Sequence, residues 1–287
     1  MNHRYLIDYV NPNAGIGHSL GLINQALKIS RRNNLNLAFS TSQLDKTTFL
    51  QKKNFLKEIY KKITKKKNFP THNLNQDLNL LFGFERFLID RETVEEKIKS
   101  RQIDLITIRT SEIPIPSNEQ IDDLVYSDVD NVISNIRKSN VAFKLIKRDY
   151  GDYEYASTRG WFLNCYLNAR ALNPVELFYK KDVLNVAVHI RRGDLLPGNQ
   201  FADLSSRMLP DEWYLDLIEM IRNIEPKIAI YIFSEGKEGK YLSEKGLDVN
   251  WKNDYFSNNS CQIFEFIDHS FISTFHHLMN ADVLIGS

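Results

Sequence analysis

The sequence predicts an α/β protein built on parallel β-sheets. Three features support this prediction: an apolar strand in the middle of the chain, an alternation of strands and helices after it, and a strand–helix–strand unit at the amino terminus. A strand that helices cover on both faces has a nearly continuous run of apolar residues in its sequence. Leu184 to Ile190 is such a run, so it predicts a central strand of a parallel sheet.

The amino-terminal unit begins with a β-branched and aromatic run from Tyr5 to Val10, which predicts a strand. A turn with two glycines follows, and from His18 onward apolar residues recur at helical spacing. Leu35 to Phe39 predicts a second strand, parallel to the first because a helix connects them. The elements predicted next are helices at Thr47–Thr64, Asp122–Lys138 and Ser157–Ala171 and a strand at Ile103–Ile108.

The second half alternates strand, helix, strand, helix and strand, as in a doubly wound, Rossmann-like unit. Pro210 stands where a helix should begin, because a first helical turn does not need its missing N–H. The elements predicted after it are a strand at Ile228–Phe233, a helix at Phe271–Asn280 and a strand at Ala281–Ile285. We therefore expect two parallel-sheet domains, residues 1–181 and residues 182–287.

Composition and charge argue against several classes of protein. The formal net charge of +1 gives no basic surface for nucleic acid. Cys165 and Cys261 are far apart, which predicts neither a zinc site nor a disulfide framework. No apolar run approaches the length of a membrane span, and Met1 to Val10 lacks the apolar core of a signal peptide. We expect a cytoplasmic protein without a nucleic-acid partner or a membrane span.

The main candidate site is His189-Ile190-Arg191-Arg192-Gly193-Asp194, where the central strand runs into two arginines. In open α/β sheets, ligands bind beyond the carboxyl ends of the strands. The planar guanidinium fork matches phosphate oxygens, and Gly193 permits a close backbone approach. A structural alternative remains, in which Arg191 pairs with Asp194 and closes the loop. We favour a phosphate site, because two adjacent arginines are costly to bury without partners.

Two other strand ends carry weaker signals. Gly15-Ile16-Gly17-His18-Ser19 follows a strand and opens a helix, whose first amides favour an anion. A tight turn that requires glycine explains the same residues equally well, because neither a dinucleotide fingerprint nor a P-loop is present. Ser234 ends a later strand, where it could bind a base or ribose or could cap a helix. Of the adjacent His276 and His277, we expect one to pack and the other to be exposed.

The order of these features along the chain resembles that of the alpha-1,2- and alpha-1,6-fucosyltransferase superfamily. Its members carry a glycine-rich loop near the amino terminus and, later, a strand that ends in His-x-Arg-Arg. The His-x-Arg-Arg-Gly-Asp form at His189 is more similar to the alpha-1,2 branch. Similar stretches in that branch correspond here to Gly160–Tyr166, Phe233-Ser234-Glu235 and His277–Ile285.

The resemblance implies a GT-B-like fold, in which two Rossmann-like domains face a cleft. It also implies GDP-fucose as the donor substrate, a glycan hydroxyl as the acceptor, inversion at the anomeric carbon, and no metal or other cofactor. Relatives continue beyond the position of Gly286-Ser287, so we expect the second domain to be cut short at its carboxyl end. The same fold with another nucleotide sugar, and a non-catalytic nucleotide- or glycan-binding domain, remain as alternatives.

The resemblance also assigns roles to residues. Arg191 would contact the β-phosphate and the leaving oxygen, and Asp194, or Asp203 as second choice, would deprotonate the acceptor. Thr274 stands where relatives often carry an acidic guanine ligand. The residues expected to bind the donor are His189, Arg191, Arg192, Gly15, Gly17, His18, Ser234 and Thr274. We expect Arg191 to be at least partly exposed in an interdomain groove, with Gly17 and His18 opposite it and Ser234 on the same rim.

Overall fold

The computed structural model describes residues 3–7, 16–39, 74–109, 121–146, 154–196, 202–237, 239–257 and 261–286. Within these ranges, the side chains of residues 16, 18, 74–76, 121–125, 194 and 202–204 are not described. Gly15 and the helix predicted at Thr47–Thr64 lie outside the described residues. By their contacts, the residues divide into two compact units, Met1–Pro174 and Val175–Ser287.

The first unit contains a parallel sheet, with five strands in its described part. They are β1 (His3–Ile7), β2 (Asn36–Phe39), β3 (Ile89–Asp90), β4 (Asp104–Arg109) and β5 (Asn140–Ile146), in the spatial order β3-β2-β1-β5-β4. Its described helices are α1 (Ile16–Arg32), α2 (Leu74–Phe82), α3 (Arg91–Lys99), α4 (Ile121–Asn135) and α5 (Arg159–Leu172). Val94 of α3 packs against Tyr5, Ile7 and Ala142, which fixes α3 on one face of the sheet.

The second unit also has a parallel sheet, with four strands among the described residues. They are β6 (Leu184–Ile190), β7 (Ile228–Ser234), β8 (Gln262–Ile267) and β9 (Val283–Gly286), in the order β8-β7-β6-β9. Its described helices are α6 (Asp211–Ile224) and α7 (Phe271–Asn280). The prediction of an α/β fold with parallel sheets is confirmed in both units.

The two faces of the second sheet are covered by different helices, because side chains alternate along a strand. On one face, Val186 and Val188 form a buried cluster with Tyr214 and Ile218 of α6. On the other face, Ala187, Ala229 and Tyr231 pack with Leu278 of α7. Coverage of both faces explains why β6 is apolar at nearly every position.

The strand order places a topological switch point between β6 and β9. The chain moves from β6 through β7 to β8 in one direction and then crosses back to β9, on the other side of β6. The register pairs His189 of β6 with Gly286 of β9. Ligands in open α/β sheets bind outside the carboxyl ends of the strands at such a point. The loop that begins at Arg191 therefore starts at the preferred ligand position of this sheet.

The simple strand–helix alternation predicted for the second half is wrong at β8. This strand follows β7, and the described part of the connection contains no α-helix but two isolated β-bridges and one π-helical turn at Trp251–Tyr255. Its Gln262 and Glu265 interrupt the apolar run, because β8 lies at the edge of the described sheet. The connection is held instead by Trp251 and Tyr241, which are completely buried in the core under α6.

The segment between the two sheets packs with the second unit. Phe178 stacks on Phe266, with ring centroids 5.6 Å apart, and Tyr179 meets Tyr231 edge-on at 4.7 Å. These contacts bring the residues just after Pro174, which the sequence-based division placed in the first domain, against the second sheet.

The packing of α6 leads to a stability prediction. Ile218 is fully buried, whereas Ile224 on the same helix is 85% exposed. We expect Ile218→Ala to lower the free energy of unfolding by about 2–5 kcal/mol, because it leaves a cavity in the core. The control Ile224→Ala should change it by less than about 0.5 kcal/mol. Denaturant unfolding of both variants checks this, and equal effects would contradict the described packing of α6.

Candidate functional site

The ends of the strands of the second sheet bring several candidate residues to one edge. Ile190 pairs with Ser234, and Ser234 pairs with Ile267, so β6, β7 and β8 end side by side. Arg191 follows β6 directly, and its side chain is exposed at this edge. Arg191 and Ser234 therefore lie on the same rim of the second unit.

His189 stands on β6 two residues before Arg191 and is half-buried. Burial lowers the pKa of its imidazole, and the positive charge of Arg191 lowers it further. His189 therefore favours the neutral form. A neutral imidazole can donate one hydrogen bond and accept another, while Arg191 supplies the positive charge.

Arg192 points in the opposite direction and is completely buried. Its Nη2 forms an ion pair with Oδ1 of Asp211 at 2.7 Å and also donates to the carbonyl oxygen of Leu209 at 2.8 Å. Its Nη1 donates to the carbonyl oxygen of Arg191 at 3.2 Å. The guanidinium of Arg192 thus binds the backbone of Arg191, whose own side chain is exposed. With no exposed surface, Arg192 can affect a ligand only through the residues around it.

Asp211, the first residue of α6, has further partners that offset the cost of burying this ion pair. Tyr241 donates its hydroxyl to Oδ1 of Asp211, and Tyr255 donates to Oδ2 at 2.8 Å. Glu244 lies 3.8 Å from Nη2 of Arg192, measured to its Oε2. Burial and the acceptor Asp211 raise the pKa of both phenols, which keeps them protonated as donors.

Glu235 approaches Gly193 so closely that this position requires glycine. A Cβ atom at Gly193 would lie 1.9 Å from Oε2 of Glu235 and 2.5 Å from its Cβ. Contacts this short cannot exist. Only glycine, which has no Cβ, therefore leaves room for the Glu235 side chain beside the loop after Arg192. Glu235 was not among the site residues predicted from the sequence. Two glycines could have indicated Glu235: Gly193, in the loop that it packs against, and Gly236, the next residue along the chain.

Ser234 joins the ends of β6 and β7 and does not cap a helix. Its buried hydroxyl lies 2.7 Å from the carbonyl oxygen of Ile190 and 3.1 Å from that of Glu235, and it donates its one hydrogen to these backbone acceptors. Thr274 lies in the first turn of α7, where it is half-buried, and its backbone N–H donates to the carbonyl oxygen of Ser270.

The glycine-rich loop belongs to the first unit. Gly17 is the second residue of α1 and is exposed, and no described atom lies within 4 Å of a Cβ built there. His18 follows within the helix. Asp194 and Asp203 lie in the short 3-10 turns Gly193–Leu195 and Ala202–Arg207 of the second unit, and their side chains lie outside the description.

No protein-family model matches this chain, and neither the curated proteins nor the solved structures contain a significant match to it.

The chain contains an Asp-x-Asp sequence, Asp128-Val129-Asp130, of the type through which many glycosyltransferases bind a metal. It lies within α4, where residues two positions apart point to different sides. Asp130 accepts hydrogen bonds from Arg32 and Asn33, whereas Asp128 is exposed. These two carboxylates do not form a chelating pair in this helix.

The described residues show neither a cluster of metal ligands nor a membrane-spanning helix. The described His, Cys, Asp and Glu side chains form no group of three or more that could hold a metal ion. None of the described helices has both the length and the apolar character that a membrane crossing requires.

The expectation for the adjacent histidines is wrong, because His276 and His277 are both buried. The Nδ1–H of His277 donates to the carbonyl oxygen of Ser273 at 2.7 Å, and its Nε2 accepts from the backbone N–H of Phe178 at 3.0 Å. Tyr179 donates its hydroxyl to the carbonyl oxygen of His277 at 2.7 Å. His277 therefore ties the segment before β6 to α7.

The buried ion pair leads to a second prediction. We expect Asp211→Ala to lower the free energy of unfolding by about 3–5 kcal/mol, because it leaves the charge of Arg192 buried without its partner. The double variant Arg192→Met/Asp211→Leu should recover most of this loss, since it removes both charges. Denaturant unfolding checks both variants. A double variant that is no more stable than Asp211→Ala would contradict the description of an ion pair.

The tautomer of His277 leads to a prediction about pH. Burial lowers its pKa below the ordinary value of 6.5. The unfolded chain then binds more protons than the folded one below about pH 6.5, so stability is fully present above that pH and is lost as pH falls. We expect His277→Gln to reduce the loss of thermal stability between about pH 8 and about pH 5, because glutamine does not titrate. His189 should retain a dependence of the same sign. A wild-type protein that is more stable at the lower pH would contradict this.

Proposed function

We propose that this protein is an inverting, metal-independent glycosyltransferase that transfers L-fucose from GDP-fucose to a glycan hydroxyl. One observation carries the proposal: Arg191 is exposed at the carboxyl end of β6, beside the switch point of a parallel sheet. A guanidinium in that position suits a diphosphate better than a single charge would, because its fork of donors matches two phosphate oxygens. The resemblance to the fucosyltransferase superfamily names the donor and the acceptor.

The fold that we propose is of GT-B type, with two Rossmann-like domains and the donor bound by the second. The two parallel sheets in separate units support this proposal. The first-domain residues expected at the donor site, Gly15, Gly17 and His18, remain part of it as predictions.

In the proposed mechanism, the acceptor hydroxyl attacks the anomeric carbon of the donor sugar from the face opposite the diphosphate. A new C–O bond forms while the bond to the β-phosphate oxygen breaks, so the configuration is inverted. Arg191 stabilises the negative charge that develops on the departing diphosphate. The acceptor proton passes to a carboxylate, for which Asp194 is our first choice and Asp203 our second.

Arg192 has a positioning role in this mechanism. Its hydrogen bond to the carbonyl oxygen of Arg191 and its ion pair with Asp211 fix the backbone from which the Arg191 side chain extends. A charged group contributes most to catalysis when it is already held in position before the reaction begins. The neutral form that His189 favours avoids a second positive charge directly beside Arg191.

Two other functions fit part of the same observation. The protein could use a different nucleotide sugar on the same fold, or it could bind a nucleotide or glycan without catalysis. A panel of GDP- and UDP-sugars, assayed for binding, hydrolysis and transfer, separates them. Turnover with GDP-fucose supports the proposal, turnover with another donor supports the first alternative, and binding without turnover supports the second.

We expect Arg191→Lys to lower the transfer rate by about 10²-fold or more while the melting temperature is retained, because lysine keeps the charge but loses the fork. Arg222→Lys is the matched control, since Arg222 pairs with Glu219 on the surface of α6. This control should leave the transfer rate unchanged. Near-normal transfer by Arg191→Lys would contradict the proposal.

Chelators should not affect the transfer rate of the wild-type protein, because arginine supplies the positive charge. A strong, metal-reversible loss of rate in EDTA would contradict the proposal.

A further inference from the structure

Helix α6 carries more apolar surface than the second sheet covers. Tyr214 and Ile218 of this helix are buried in the core on the sheet. A second set of apolar side chains, which we call the α6 stripe, consists of Trp213, Leu217, Met220 and Ile224. Residues at such spacings share one face of a helix. Met220 is 62% exposed, so the described part of the unit leaves much of the α6 stripe in contact with solvent.

The α6 stripe borders β9, which lies at one edge of the described sheet. Together with Leu284, Ile285 and Gly286 of β9, the stripe lines an open groove of about 400 Å³. Pockets for small molecules contain a few converging polar groups. None of the residues that line this groove carries a charge, a hydroxyl or an amide side chain. The groove therefore suits a protein surface better than a small ligand.

The two edges of the second sheet differ in how they are protected. Edge strands often carry inward-pointing charged residues, because an open strand can pair with another chain. β8 follows this rule with Glu265, which pairs with the core residue Ile232. β9 has the sequence Val283-Leu284-Ile285-Gly286, without a charge, and among the described strands it pairs only with β6. An unprotected edge beside an apolar surface is expected where another chain binds.

The α6 stripe has the same spacing in both directions along the helix, because its residues are separated by four, three and four positions. A two-fold axis that pairs β9 antiparallel with β9 of a second copy also sets the two α6 helices antiparallel. Trp213 then faces Ile224 of the partner subunit, and Leu217 faces Met220 of the partner subunit. A symmetric spacing of this kind favours a second copy of the chain over an unrelated partner.

The polar residues at the rim of the α6 stripe are also compatible with a second copy. Asp216 and Asn223 are both exposed, on the same side of the stripe. In the antiparallel arrangement, Asp216 approaches Asn223 of the partner subunit. An asparagine amide can donate a hydrogen bond to a carboxylate, so Asp216 meets a donor at this position instead of a like charge.

We infer that this surface joins two copies of the chain in a symmetric dimer. β9 of one copy pairs antiparallel with β9 of the other, which makes one continuous sheet from the two second units. The two α6 stripes face each other on one side of that sheet. This inference does not depend on the proposed function.

Sedimentation equilibrium of the full chain at micromolar concentrations tests the inference. We expect the wild-type protein to have twice the mass of one chain. Met220→Glu should raise the dissociation constant of the dimer by about 10²-fold or more, because each copy then brings a charge into an apolar contact. Leu247→Glu is the matched control, since Leu247 is 61% exposed in the connection between β7 and β8. It should leave the dissociation constant unchanged.

Amide hydrogen exchange tests the strand pairing separately. Exchange in residues 283–286 should be slower in the wild-type dimer than in monomeric Met220→Glu, because β9 gains backbone hydrogen bonds in the dimer. At protein concentrations below the dissociation constant, Ile224 stays exposed in the single chain, so Ile224→Ala remains nearly neutral for unfolding.

The other outcomes overturn the inference. A monomeric wild-type protein at micromolar concentrations would mean that the α6 stripe does not join two copies. A dimer that Met220→Glu leaves intact would place the contact elsewhere, and equal weakening by Leu247→Glu would mean that the association is unspecific. Equal exchange of residues 283–286 in the dimer and in the Met220→Glu monomer would remove β9 from the contact.

Discussion

The buried ion pair between Arg192 and Asp211 is the interaction on which the rest of the second unit depends. Removing both charges from water is costly, and only good geometry with further hydrogen bonds offsets that cost. Here the carbonyl oxygen of Leu209 and the hydroxyls of Tyr241 and Tyr255 provide those bonds. One ion pair thereby joins the loop after β6, the first turn of α6 and the connection after β7.

The same ion pair explains why two adjacent arginines have different environments. Arg192 is fully buried and Arg191 is exposed, although they follow the same strand. The inner arginine binds the carbonyl oxygen of the outer one, so it sets the backbone at the strand end. Gly193 then lets the loop pass beneath Glu235. The edge of the sheet thus presents a cation and an anion at fixed neighbouring positions.

Much of this fold could be predicted from the sequence, because the strong patterns are local. β6 and α7 have the predicted bounds, and α6 begins after Pro210 as expected. β8 was missed because an edge strand with polar positions lacks a clear apolar run. The partner of Arg192 was also missed. From the sequence, the only pairing proposed was that of Arg191 with Asp194, whereas Asp211 lies nineteen positions from Arg192. Such a pairing depends on how α6 packs on the sheet.

Site residues were harder to predict, since sequence shows where a strand ends but not which way a side chain points. Ser234 was chosen from Phe233-Ser234-Glu235, yet its hydroxyl is bound to the carbonyl oxygen of Ile190. Glu235, the next residue, is the exposed one. Likewise, His277 was not expected to be buried together with its neighbour, because both of its ring nitrogens find backbone partners only in the folded unit.

Amide hydrogen exchange with and without GDP tests the central claim most directly. Our account predicts slower exchange on GDP binding in residues 190–196 and 234–237, at the carboxyl edge of the second sheet. It predicts little change in residues 182–185 and 225–228, at the amino edge of the same strands. Slower exchange confined to the amino edge, or no change around Arg191 at saturating GDP, would contradict the assignment of this edge as the donor site.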